Sequence, residues 1–350
     1  MSPEQVALRD TFALDLIGDA FAPVKASLQS GLIPGAALGI ALRRGGEAMA
    51  AAGYAVREPE PELLNLDTVF DLASLTKVML TTRAVMELVD QGALRLDDTL
   101  GSLLPGIPAQ ADHGRLTVAE CLGHQTFLPW HEPLFSLGLE RDALRRYVLE
   151  RDWPHGASVY SDINFILLGF VIEAVTGRPL RDWPLPPGLY ADPPRERTAA
   201  TELDPWRKRL LRGEVHDENA CALGTPAGHA GLFGTLAAVL RFAAGMLDGT
   251  TFSPSGLARV RQPVSPTRTL GFELRHDGWA GGDRASPGSI GHTGFTGTGL
   301  WVDFERGVAW TLLTNRVHPS RDRRSDIAQL RREVGDRITG RVSSEIVNSE

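Results

Sequence analysis

A chain of 350 residues is long enough for a large buried core, as one large domain or two. Hydrophobic residues at 43% and charged residues at 23% fit an ordinary globular protein and exclude a disordered or fibrous one. The net charge of −7 offers no basic face to nucleic acid, and no apolar run is long enough to suggest a membrane span.

The opening stretch, MSPEQVALRDTFALDLIGDAFAPV, is acidic, and Asp10, Asp15 and Asp19 interrupt its apolar positions. It lacks the basic start and unbroken apolar run of a secretory signal, so the expected location is cytoplasmic. Cys121 and Cys221 lie far apart and form no Cys-x-x-Cys pair, which fits a reducing compartment and argues against a disulfide framework or a zinc ribbon.

Leu14, Ile17, Phe21, Val24 and Leu28 recur at steps of three and four, predicting a first helix laid on a core. AALGIALRR, a Gly45-Gly46 turn and EAMAAAGYAV predict a hairpin of small, buried strands. The segment Val78 to Val89, closed by Gly92, predicts a helix that starts at or near Ser74. Thr117 and Glu120 have the spacing of a capping box, and Phe165, Leu168, Gly169, Ile172 and Val175 make a tight helical face ending at Gly177. Five prolines between 182 and 194 force a loop there, expected to rim a pocket. Ser289 to Gly294, then Leu300, Val302 and Phe304, then Val308, Trp310 and Leu312 predict antiparallel strands. Ile327, Leu330, Val334 and Ile338 share the face of a last helix.

Strands at both ends with helices between imply an α/β (α+β) unit spanning 1–350. An antiparallel sheet flanked by helices, from 10–70 and 250–345, would face a mainly helical lobe from 71–249, with the site in the cleft between them.

Only three of the 36 basic residues are lysines, Lys25, Lys77 and Lys208. Arginine keeps its proton at any working pH, whereas lysine can release one when its surroundings favour the neutral form. Ser74-Leu75-Thr76-Lys77 sits where a helix begins, so hydroxyl and amine share one face, one turn apart. A neutral amine there can take the hydroxyl proton, and the helix start supplies free N–H groups for an oxyanion. Tyr160-Ser161-Asp162 precedes the Phe165 helix, and Gly291-His292-Thr293-Gly294-Phe295 opens the late sheet. A tyrosine beside a cation can relay a proton, and a strand of small residues can present backbone donors to a carbonyl. His216, Asp217, Glu218 and His229 match no metal-ligand spacing and are read as a loop hydrogen-bonded around the cleft; no metal and no cofactor is expected.

In this order, Ser-x-x-Lys, Tyr-Ser-x and His-Thr-Gly resemble the penicillin-recognising serine hydrolases. The resemblance is to the branch of class C β-lactamases, D-alanyl-D-alanine carboxypeptidases and β-lactamase-like esterases. It spans roughly 15–340, with support from GEVHDENACALG, AGHAGLFGT and LLTNRVHP. It implies Ser74 as acylated nucleophile, Lys77 as proton acceptor and Tyr160 as the group that protonates the leaving group and activates water. The N–H groups of Ser74 and Phe295 would form the oxyanion hole. Asp162, His292, Thr293, Gly294, Asn315 and Arg316 would contact substrate. Asp162 stands where class C enzymes carry asparagine, and His292 where many relatives carry lysine. The resemblance implies an ester, amide or β-lactam-like carbonyl substrate, and both departures tilt the expectation away from penicillin-like side chains toward ester or small amide hydrolysis. The alternatives are a carboxypeptidase acting on muropeptides and a non-catalytic module that binds peptide or protein.

Overall fold

The computed structural model describes residues 5–8, 11–43 and 45–348, and side chains from 11–43 and 45–342. Of the opening stretch, positions 1–4, 9 and 10 lie outside the described residues.

The first helix is α1 (Thr11–Gln29), whose buried face of Ala13, Leu16, Ile17, Ala20, Phe21 and Val24 includes part of the expected stripe. The main sheet comprises β1 (Gln5–Leu8), β2 (Gly35–Leu42), β3 (Glu47–Val56), β4 (Glu273–Leu274), β5 (Ile290–Thr293), β6 (Gly299–Asp303) and β7 (Val308–Thr314). Its order is β1-β3-β2-β7-β6-β5-β4, antiparallel throughout, with the two-residue strand Glu62–Leu63 added to the end of β3. The N-terminal hairpin therefore pairs with the C-terminal strands along the seam of β2 and β7, where Trp310 faces Ile40 and Leu312 faces Leu38.

Both faces of the sheet are covered at its centre, so β2 and β7 are buried along nearly their whole length. Trp301, Trp310 and Leu312 point to one face, packing with Phe21, Ile17 and Val24 of α1 and with Leu330, Val334 and Ile338 of α4 (Ile327–Asn348). Leu300, Val302, Ala309 and Leu313 point the other way, toward α3 (Leu236–Asp248). Each fully buried large apolar side chain contributes about 1.5–3 kcal/mol. The small residues of β2 let α3 come close: a Cβ on Gly39 would stand 3.0 Å from Leu240. Helix α3, which the sequence reading grouped with 71–249, thus covers the sheet.

The remaining segments from 71 to 235 pack as helices and loops around α2 (Asp162–Thr176), whose interior is almost wholly apolar and which ends on left-handed Gly177, as its sequence predicts. The Thr117 and Glu120 capping box forms with both reciprocal bonds. The proline-rich loop does not rim the cleft. Its Leu189–Tyr190 pairs with Phe233–Thr235, which ties it to the far side of the strand Val69–Asp71. Among the described residues no helix is long and apolar enough to cross a membrane.

Candidate active site

The cleft between the sheet and the helical segments has a volume of about 710 Å³. Ser74, Tyr160, Asp162, His292, Thr293, Gly294, Phe295 and Arg316 all line it. Asn315 does not. Its side-chain amide is buried just beyond β7 and donates to the carbonyls of Tyr54 (3.3 Å), Ala55 (3.1 Å) and Ala200 (3.3 Å), so it fastens the end of the hairpin.

Ser74 lies between the strand Val69–Asp71 and a helix whose first full turns, Lys77–Thr82, are π-helical before Arg83–Asp90 continues as α. The turn into it is forced: Ala73 adopts φ +47°, an unfavourable conformation for a residue with a side chain. Asp71 holds that turn. Its buried carboxylate accepts from the N–H of Ala73 (2.8 Å) and of His216 (2.6 Å), and burial pushes its pKa up. From the opposite side, Thr296 donates to Asp71 O (2.7 Å) and Thr298 to Leu72 O (3.0 Å). The His-Thr-Gly strand is thereby clamped onto the segment that carries Ser74. Gly294 sits in that clamp, where a Cβ would meet Thr298 Oγ1 at 2.1 Å and Leu72 O at 2.5 Å, so only glycine fits.

Ser74 is partly exposed while Lys77, one turn on, is fully buried. Lys77 Nζ donates to Ser74 Oγ (3.0 Å) and to His229 O (3.0 Å), and forms an ion pair with Asp162 Oδ1 (2.8 Å). The amine expected to be neutral is therefore an ammonium in the resting protein. Burial alone would lower its pKa, but Asp162 and Tyr160 hold it above the ordinary lysine range. Asp162 is correspondingly held well below the usual carboxylate range, because the charge of Lys77, with help from His131, outweighs its burial. The Tyr160 ring centroid is 5.0 Å from Lys77 Nζ, and burial keeps the phenol protonated by pushing its pKa up against the opposing charge of Lys77.

Two histidines pack around Tyr160. His124 lies 4.6 Å away between ring centroids, and its Nδ1 accepts from the Ser161 N–H (3.0 Å). His292 lies 5.9 Å away, and its Nδ1–H donates to Thr293 O (2.9 Å), which leaves Nε2 as a buried acceptor without a partner among the described residues. Burial, then the charges of Lys77 and Arg268, push His292 down to about 3, so this strand carries no cation at working pH. His216, Asp217, Glu218 and His229 form the expected hydrogen-bonded wall: His229 donates to Asp217 (2.9 Å) and His216 to Glu202 (2.8 Å). Burial would raise Asp217, but His229 overrides it and holds the carboxyl at about 2. Neither the Ser74 nor the Phe295 N–H finds a backbone acceptor among the described residues. His124, His131 and Arg268 were not singled out from sequence; no motif or periodicity marks them.

A serine and lysine on one helix turn, a tyrosine and a His-Thr-Gly strand meeting between this sheet and these helices define the class, the penicillin-recognising serine hydrolases. The chain belongs to the Beta-lactamase family, whose model matches residues 22–334. It is 30% identical, over 328 aligned positions, to an N-acetylmuramyl-L-alanine amidase of Bacillus subtilis (strain 168), covering 77% of this chain and 74% of that protein. Among solved structures, EstCE1, a hydrolase with promiscuous acyltransferase activity, superposes with a TM-score of 0.74 at 22% identity, covering 95% of this chain and 100% of that one. A class C beta lactamase gives 0.73 at 16% identity, covering 93% and 98%. The fold is β-lactamase-like, with the antiparallel sheet and helices expected from sequence.

Proposed function

We propose that the protein is a serine hydrolase that forms an acyl-enzyme on Ser74 and acts on a small ester. The observation that carries this reading is the 3.0 Å contact between a solvent-reached Ser74 Oγ and a wholly buried Lys77 Nζ at the cleft floor. A lysine serving only solubility would not be buried and paired. The resting Lys77–Tyr160 pair carries one proton too many. Loss of that proton leaves either a neutral amine or a phenolate, and either can take the Ser74 proton as Oγ attacks the carbonyl. The N–H groups of Ser74 and Phe295 then hold the oxyanion, Tyr160 protonates the departing group, and water, activated by the same tyrosine, releases the acyl group. Exposed Trp130 and Phe295, 67% and 50% accessible, flank the cleft as apolar contacts for an acyl or alkyl substituent. Asp162 is tied to Lys77 and has no N–H to offer a penicillin side chain, which favours ester chemistry. A second reading, with an amide as the scissile bond, is favoured by the 30% identity to the Bacillus amidase.

Intact mass after exposure to a fluorophosphonate tests the nucleophile: one adduct, mapped to Ser74, is expected, and an unmodified chain refutes covalent catalysis.

The Asp162 carboxylate sets the pH at which the extra proton leaves. Its charge favours the ammonium, so activity should rise with pH along an acid limb, and Asp162→Asn should move that limb to lower pH by about a unit or more. A pH–kcat/KM profile checks this; a limb that stays in place, or moves up, would show that the carboxylate does not govern the dyad.

A further inference from the structure

The N–H of Phe295 belongs to the same peptide unit as the carbonyl of Gly294, and a trans peptide points the two in opposite directions. Whatever holds that carbonyl therefore aims the donor that would meet an oxyanion. Gly294 O accepts from the Gly297 N–H (3.1 Å), which closes the turn after β5, and from Arg331 Nη2 (2.9 Å). The same Nη2 donates to Thr298 O (2.7 Å), which also takes the Gly294 N–H (2.8 Å). One nitrogen of Arg331 thus grips both sides of the turn that carries Phe295.

Arg331 comes from α4, beside Leu330 of its sheet-facing stripe, and is 7% exposed. Among the described residues it forms no ion pair, and its Nε–H is buried without a partner. Glu273, the carboxylate whose charge reaches it, is bound by His276 (3.2 Å). Burial, then the charge of Arg316, push Arg331 down to about 9, which still leaves it protonated at neutral pH. A buried guanidinium without a counter-ion is costly, and a neutral amide could hold two carbonyls as well. What only the guanidinium supplies is positive charge at the oxygen end of the Gly294–Phe295 peptide. That charge draws electron density toward the oxygen and makes the Phe295 N–H a stronger donor. With no carboxylate to cancel it, the same charge favours a negative oxygen held at that N–H.

We propose that Arg331 is a positioning residue for the oxyanion hole: it aims and polarises the Phe295 N–H through the Gly294 carbonyl, without touching the reacting atoms. This rests on the reading of Ser74 as nucleophile and of the Phe295 N–H as oxyanion donor. The last helix of the chain then contributes to the chemistry as well as to the cover of the sheet.

The test compares 4-nitrophenyl acetate with O-(4-nitrophenyl) thionoacetate, which differ in one atom. In the second the developing charge falls on sulfur, a weak acceptor, so the hole contributes little. The wild type should favour the oxygen ester by about tenfold or more beyond the preference shown by hydroxide in water. Arg331→Gln should lower kcat on the oxygen ester about tenfold with KM held within about twofold, and should lower turnover of the thionoester by less than about threefold. Arg331→Lys keeps a charge on a shorter reach, and its preference should fall between the two. An equal loss on both esters marks a merely structural role and overturns the proposal, as does a wild-type preference in both variants. Circular dichroism and melting follow the fold. Should Arg331→Gln not fold, Arg331→Lys decides alone: a preference lowered about threefold supports the proposal and an unchanged one overturns it. A wild type with no preference beyond that of hydroxide refutes the Phe295 donor and the proposal with it. A preference that survives the Arg331 variants sinks the proposal alone and leaves that donor standing.

Discussion

Ser74→Ala protein is expected to hydrolyse short-chain nitrophenyl esters and nitrocefin at least about a thousandfold more slowly than wild type, and to take no fluorophosphonate. The hydroxyl is the atom at which the buried ammonium, the phenol and the clamped Leu72–Ala73 turn converge, and alanine removes that atom while fitting the same backbone. The melting temperature should move little, because Ser74 Oγ gives up one partly solvated contact. Turnover near the wild-type level would show that the chemistry runs elsewhere, and turnover lost along with folding would be visible in the same melting curve.

Lys77→Arg should lose activity by about a thousandfold as well, although it keeps the charge. The ammonium sits in a fully enclosed site sized for three partners, Ser74 Oγ, His229 O and Asp162. A guanidinium cannot shed a proton near neutral pH and would turn its planar fork to Asp162, drawing away from Ser74. Stopped-flow acylation with a nitrophenyl ester is the measurement, with thermal melting to separate lost chemistry from a strained core. Near-normal acylation would remove Lys77 from any part in proton transfer.

What the sequence made legible were the features written in short spacings. The small-residue hairpin, the Thr117 box, the Gly177 stop and the alternating late strands all formed, because each depends on side chains a few positions apart. The Ser74 and Lys77 pairing has the same origin, since one helical turn brings them together. Less legible was whatever depends on partners far away in sequence. The charge state of Lys77 is decided by Asp162, 85 positions on, and the committed state of Asn315 by carbonyls of Tyr54, Ala55 and Ala200. The proline-rich loop was correctly excluded from helix, yet its position depended on a two-residue pairing with Phe233–Thr235 that no local pattern encodes. Arg268 carries no motif, and its place 5.3 Å from the Tyr160 ring centroid is disclosed only in three dimensions.

The seam between β2 and β7 has a consequence for biogenesis. A ribosome delivers the hairpin of residues 35–56 and the Ser74 turn first, but β7 and the threonine hydroxyls that grip Asp71 and Leu72 emerge more than 200 residues later. Until then the β2 edge is bare and the Ser74 turn unsupported, so the nascent polypeptide is exposed to edge-to-edge association. Such a protein completes its sheet in one late step, when its two ends meet, and a chain shortened before residue 290 lacks both the strands that pair with β2 and the threonines that hold the Ser74 turn.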